Sequence, residues 1–235
     1  MQQTVIVTGA ERGLGLALVQ AFLQSGARVI ATRNGSDDNL RRLQDSQGQS
    51  LTIVPMDVTD PASIRAGVTS VAAVVTSVDI LINNAGVHLE DKHTLLEELD
   101  FGDQHLETTM AVNAFGPLRV TQRFLPLLDK GAGKTIINIS SEAGSIGDAW
   151  RKGEYAYCMS KAALNMQTKL LCNYLAPKGY RVLAIHPGWM RTDMGGPEAD
   201  IAAQEAAAGV LELATGEEAS DRGIYLDYRG KSLQW

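Results

Sequence analysis

Short apolar runs rich in β-branched residues alternate along the chain with longer stretches whose apolar positions recur at helical spacing. Val5-Ile6-Val7 has no polar residue on either face, which predicts a strand buried on both sides. Leu14, Leu18, Ala21 and Phe22 share one face of a helix over about 13–24, and Gly26 lies just past its end, where a left-handed residue commonly stops a helix. Residues 27–31 predict a second strand and 51–54 a third. Asp60-Pro61 then supplies an N-cap carboxylate and a first-turn proline for the next helix. Strands four to six fall at 80–82, 136–139 and 182–185, with long helical patterns about 104–128 and 155–175 before the last two. An Ala-rich helix over 201–213 precedes a seventh strand at 224–226. The polar stretch from Asn34 to Gln49 predicts no element and is expected to be mobile.

Such alternation means a parallel sheet with helices on both faces and right-handed crossovers between strands. The expected fold class is α/β: one doubly wound, Rossmann-type domain over residues 1–235, with seven parallel strands. No repeat, linker or low-complexity tract interrupts it. A net charge of -6 with no Lys/Arg run argues against nucleic acid or an anionic membrane surface as partner. No apolar run approaches the ~20 residues a membrane helix needs. The first residues enter the first strand without a basic n-region, so no leader and a cytoplasmic location are expected. Cys158 and Cys172 fall on one predicted helix, roughly 21 Å apart, too far for a disulfide.

Thr8-Gly9-Ala10-Glu11-Arg12-Gly13-Leu14-Gly15 links the first strand to the first helix. Glycines there let the backbone turn sharply, and the helix start offers free N–H groups and a positive dipole end to a pyrophosphate. Gly9, Arg12, Gly13, Leu14 and Gly15 are therefore candidate cofactor contacts. At the tip of the second strand an NAD site wants an acidic residue, whereas this chain has Thr32-Arg33-Asn34-Gly35. Arg33, with Arg12, would suit a 2′-phosphate, so NADP(H) is the expected cofactor. Asp37 and Asp38 speak against this but lie several residues further on.

Reducing a carbonyl needs a proton donor at oxygen and a hydride at carbon. A phenol is an adequate donor if a cation stabilises its anion. Tyr157-Cys158-Met159-Ser160-Lys161 puts both groups on one helix face, about 5–6 Å apart at Cβ. A second Tyr-x-x-x-Lys, Tyr174 to Lys178, is interrupted by Pro177 and lies far along the helix from the strand ends, so it is set aside.

These segments together resemble the short-chain dehydrogenase/reductase family, over nearly the whole chain. The glycine turn, one residue longer than the dinucleotide fingerprint, is similar to that family's. The resemblance implies that Asp57-Val58 flanks the adenine and that Asn84, Ala85 and Gly86 of Asn83-Asn84-Ala85-Gly86 line the ribose side. It implies Ser141, selected over Ser140 by the Ser-x-x-Gly register, as a hydrogen-bond donor to the carbonyl oxygen. Asn113 of Val112-Asn113-Ala114-Phe115-Gly116 would support a proton relay, or else mark a helix kink. Tyr157 would be the acid, and Lys161 would depress its pKa and bind the nicotinamide ribose. Pro187, Gly188, Met190 and Thr192 would approach the nicotinamide. The Tyr155–Asn165 segment, the Gly188–Gly196 segment and the tail to Trp235 most resemble the C-factor/Sniffer-like carbonyl reductases.

The expected activity is reduction of a small ketone, aldehyde or quinone. A signalling protein that binds NADP(H) with little turnover is the rival. The resemblance also implies a homodimer or homotetramer built on the long fourth and fifth helices. His88, Glu90, Asp91, His93 and His105 crowd one segment, but their spacing fits no ligand pattern. No metal is expected there, and the segment is read as a loop over the substrate. The stretch Gly147–Gly153 is longer than in many relatives and forms either a pocket wall, with Trp150 against the substrate, or a surface loop.

Overall fold

The computed structural model describes residues 2–91, 94–100, 102, 104–216 and 223–235. The strands of the main sheet are β1 (Thr4–Val7), β2 (Arg28–Arg33), β3 (Leu51–Pro55), β4 (Ile80–Asn83), β5 (Thr135–Ile139), β6 (Arg181–His186) and, last in the chain, β9 (Tyr225–Asp227). They pair in the order β3-β2-β1-β4-β5-β6-β9, every pair parallel. The chain first winds outward from β1 to β3, then returns to the other side of β1 at β4. That reversal opens a crevice at the carboxyl ends of the strands, where open α/β sheets bind ligands.

The helices are α1 (Gly13–Gln24), α2 (Asp38–Gln47), α3 (Pro61–Ala72), α4 (His105–Met110), α5 (Gly116–Leu128), α6 (Tyr155–Leu175) and α7 (Ala203–Thr215). Strand pleating divides the core between the two faces. Val5 and Val7 pack with Leu18, Phe22, Ala206 and Val210 beneath α1 and α7. Ile6 and Ile30 point the other way, into a cluster with Ile64, Val120 and Phe124. Fully burying a side chain such as Phe22 or Phe124 contributes roughly 1.5–3 kcal/mol. Asp60 caps α3 as its sequence predicts, accepting from the Ala62 and Ser63 N–H groups at 2.8 and 3.1 Å.

Three elements differ from the sequence expectation. The polar stretch expected to be mobile contains α2, anchored by the fully buried Leu40 and by an Arg41–Asp37 ion pair of 2.7 Å. One fully buried apolar anchor was too few to raise a periodic signal. A two-residue strand β7 (Met190–Arg191) pairs with β8 (Ile201–Ala202) in a separate small sheet, so the expected helix from 201 begins at Ala203. The long helix about 104–128 is broken by a π turn at Ala111–Phe115 between α4 and α5.

Candidate active site

A cleft of about 790 Å³ runs along the carboxyl ends of the strands, between the glycine turn and the segment after β6. Gly9 has φ +61, and a Cβ on it would lie 2.8 Å from the Ala85 Cα. A Cβ on Gly15 would lie 2.1 Å from the Gly9 carbonyl oxygen. Gly9 is thus demanded by the close approach of the turn to the segment after β4, and Gly15 by the turn's own fold against the start of α1. Thr8 and Asn84 lock that approach: the Asn84 and Ala85 N–H groups donate to Thr8 Oγ1 at 3.0 Å, and Asn84 Nδ2 donates to the Thr8 and Gly9 carbonyls at 2.8 and 2.9 Å. Asn84 therefore ties the turn together, a role the sequence left undefined.

The N-terminus of α1 has no side-chain cap, since Arg12 at that position makes no capping bond. Its first N–H groups face the cleft beside Gly13 and Leu14. Uncapped donors at a helix start, bounded by glycines, fit a dinucleotide pyrophosphate. Asp57 and Val58 line the same end, with Asn34 and Gly35. Burial works against the Asp57 carboxylate, but hydrogen bonds from the Thr59 hydroxyl and N–H (2.7 and 2.8 Å) and from Asn34 hold its pKa below the usual range.

The two arginines are less free than their positions imply. Arg33 donates to the Gly35 carbonyl at 3.2 Å and pairs with Asp37 at 3.3 Å. The first turn of α2 brings Asp37 back to β2, although it lies four residues along the chain. Arg12 reaches across the cleft to Asp193 at 2.7 Å, with both side chains exposed. A Cβ on Gly13 would meet Thr192 Cγ2 at 3.5 Å, so the Pro187–Thr192 segment forms the opposite wall. Within it Gly188 adopts φ +84, and any side chain there would strike Ile201.

Deeper in the cleft, Ser141 lies two residues beyond the end of β5. Its Oγ accepts from the Ala143 N–H at 3.2 Å, and its carbonyl accepts from the Tyr225 hydroxyl at 2.6 Å. Ser140 is buried and donates to Asn165 at 2.6 Å, which supports the choice of Ser141 as the available hydroxyl. The Tyr157 phenol meets Ser141, yet burial outweighs that hydrogen bond and pushes the phenol up to about 12. Lys161 is buried too. Its Nζ donates to the Ile139 carbonyl at 2.9 Å and lies 5.7 Å from the Tyr157 ring centroid. Burial pulls its pKa down to about 8. Burial thus works against the charged form of both groups.

Asn113 sits in the π turn, fully buried. Its amide exchanges two 2.8 Å bonds with the Val87 backbone and donates to Ser160 Oγ at 3.0 Å. Ser160 in turn donates to the Tyr157 carbonyl at 2.7 Å. Pro117 carries no N–H, so the Asn113 carbonyl, four residues earlier, receives no α-helical hydrogen bond. Asn113 thus does lie at an irregularity of the helix. The second Tyr-x-x-x-Lys match does bring its side chains together, with Lys178 Nζ 4.1 Å from the Tyr174 ring centroid, but on the exposed far end of α6.

Sequence reasoning missed a charged wall on the substrate side. Arg151 makes a double hydrogen bond to Glu142 at 2.6 and 2.8 Å and donates to Glu154 at 2.7 Å. The Gly147–Gly153 stretch therefore does shape the cleft, with Trp150 beneath the Arg151 guanidinium at 4.6 Å. His186 lines the cleft, and burial lowers its pKa. Among the described residues no group of three His, Cys, Asp or Glu side chains is placed to hold a metal, and His93 and Asp103 lie outside them.

The sequence profile of the short chain dehydrogenase family matches residues 3–201. The chain belongs to the short-chain dehydrogenase family. The NADPH-bound carbonyl reductase from chicken fatty liver is 35% identical, with a TM-score of 0.89 over 100% of this chain and 99% of that one. The carbonyl reductase Sniffer of D. melanogaster is 28% identical, with a TM-score of 0.92 over the whole of both chains. C-signal of Myxococcus xanthus is 40% identical over 158 residues, 67% of this chain and 93% of that protein. In a short-chain dehydrogenase, a phenol, a serine hydroxyl and a buried ammonium around one cleft can bind a carbonyl oxygen and give it a proton.

Proposed function

We propose that this short-chain dehydrogenase is an NADP(H)-dependent reductase of small, uncharged carbonyl compounds. The observation that carries the reading is that Ser141, Tyr157 and Lys161 line one cleft, with the buried Lys161 ammonium 5.7 Å from the Tyr157 ring centroid. The uncapped start of α1, Gly9, Gly13 and Gly15 would hold the pyrophosphate, and Asp57, Val58, Ala85 and Gly86 the adenosine and ribose. Arg12 and Arg33 would take the 2′-phosphate by exchanging their present carboxylate partners for it. When bound, the nicotinamide supplies the hydride.

The chain's own residues do the rest. Ser141 donates to the carbonyl oxygen as charge develops there. Tyr157 releases its proton to that oxygen. A phenol raised to about 12 keeps its proton at neutral pH, so Tyr157 is loaded for reduction and depends on the cation beside it to release that proton. Lys161 stabilises the phenolate that remains, and Asn113 positions the water that would restore the proton. Arg151, already paired with Glu142 and Glu154, offers no free charge to an anionic substrate. On this reading the enzyme would work in the cytoplasm, as a homodimer or homotetramer.

NADPH oxidation against a panel of ketones, aldehydes and quinones tests this reading. Tyr157→Phe should lower kcat by at least ~100-fold with NADPH binding intact. The likeness to C-signal favours a second reading, a signalling protein that binds NADP(H) with little turnover. That reading requires the wild type to bind NADPH and leave the whole panel unreduced.

A further inference from the structure

The stretch leaving β4 grips the start of α6 through successive side chains. Val87 is held by both backbone groups against the Asn113 amide. His88 lays its imidazole on the Tyr157 ring, with centroids 4.4 Å apart and planes 25° from parallel. Its side chain is 8% exposed, and its Nε2 lies 3.2 Å from Glu154 Oε1. Glu90 places one carboxylate oxygen on the Ala156 N–H at 3.0 Å and the other on the Tyr157 N–H at 2.9 Å. Those are donors that a helix start leaves without an intrahelical partner. Glu154 itself has φ 59, a left-handed backbone that a side-chain-bearing residue holds when its surroundings determine it. His88 and Arg151 engage its two oxygens.

The second side-chain torsion of tyrosine is broad, so backbone placement alone leaves the ring plane open. Proton transfer tolerates little of that freedom: a misplacement of ~1 Å costs on the order of 100-fold in rate. We propose that His88 is a positioning residue: its stacked imidazole, steadied by Glu154, fixes the plane of the Tyr157 ring, while Glu90 fixes the backbone it projects from. This rests on Tyr157 being the proton donor. His88 does not replace Tyr157 in that role, because a face-to-face contact moves no proton.

The test compares His88→Ala and His88→Phe in the full chain, by carbonyl turnover and by NADPH fluorescence. His88→Ala should lose ~10-fold or more in kcat, with carbonyl KM and NADPH Kd within about twofold of wild type. His88→Phe, which can stack but not pair, should recover kcat to within about threefold. A His88→Ala protein with wild-type kcat overturns the proposal. So does a His88→Phe protein as slow as the alanine variant, or a matching loss of NADPH binding. Wild-type turnover reports on the parent reading separately. If wild type reduces nothing, the phenolate absorbance of Tyr157, taken as the difference from Tyr157→Phe, decides instead. Opening the ring face to water should let Tyr157 ionise at lower pH in His88→Ala, and an unmoved ionisation sinks the clamp.

Discussion

Burial draws the two titratable groups of the cleft toward one another, raising the Tyr157 phenol to about 12 and lowering the Lys161 ammonium to about 8. Near neutrality Tyr157 keeps its proton, so the partner that changes state in mild alkali is Lys161. A lysine with a lowered pKa is fully cationic below that value and loses its charge as pH rises through it. Reductive kcat should therefore hold steady below about pH 7 and decline through about 8 as the phenolate loses its stabilising cation. Steady-state rates from about pH 6 to 10 check this, and Lys161→Met should be slow without that inflection. Tyr157 and Lys161 could be paired from the sequence because their spacing is local, whereas Ser141 came from the family resemblance. His88, Glu90 and Glu154 were not, since Glu90 meets Tyr157 across 67 positions and no periodicity records such a contact. Arg33 was legible as a cation, but its partner Asp37 became visible only when α2 folded back against β2.

Between α4 and α5 the ladder slips into a π turn where Pro117 withholds an N–H, and such turns recur at functional sites. Pro117→Ala would offer Asn113 the missing bond, worth about 1 kcal/mol, and draw the turn toward regular α geometry. That would rotate Asn113 away from Val87 and Ser160. The expected result is a higher Tm with a lower kcat, measured by thermal melt and turnover on one preparation. A gain in both would mean that the π turn does not position the site. Strands were readable because buried parallel strands carry unbroken β-branched runs, as in Val5-Ile6-Val7 and Ile80-Leu81-Ile82. Helix α2 was unreadable because only Leu40, fully buried, and Leu43, partly so, interrupt its polar residues.

Across the whole molecule, the π turn with α5, and α6, leave large apolar side chains in water: Phe115 and Leu118 on the first, Met159, Met166, Leu170 and Tyr174 on the second. The last four recur at helical spacing and form one stripe. The proposed homodimer or homotetramer would bury such a stripe. Leu170→Glu should halve the apparent mass, or reduce it to a quarter, in light scattering after size exclusion; a wild type that already runs as a monomer refutes the expected assembly.

The seven strands of the main sheet, their alternation with helices, the glycine turn and the Tyr157–Lys161 spacing were determined by the sequence alone. Each depends on neighbours within a turn or a strand, so composition and spacing suffice. The tertiary structure decided the charge state of the site and its supporting contacts. Desolvation, the imidazole on the Tyr157 ring, the carboxylate on its backbone and the partners of Arg12, Arg33 and Arg151 all arise where distant segments meet. Those meetings are set by how the packed sheet closes, and local pattern carries no record of them.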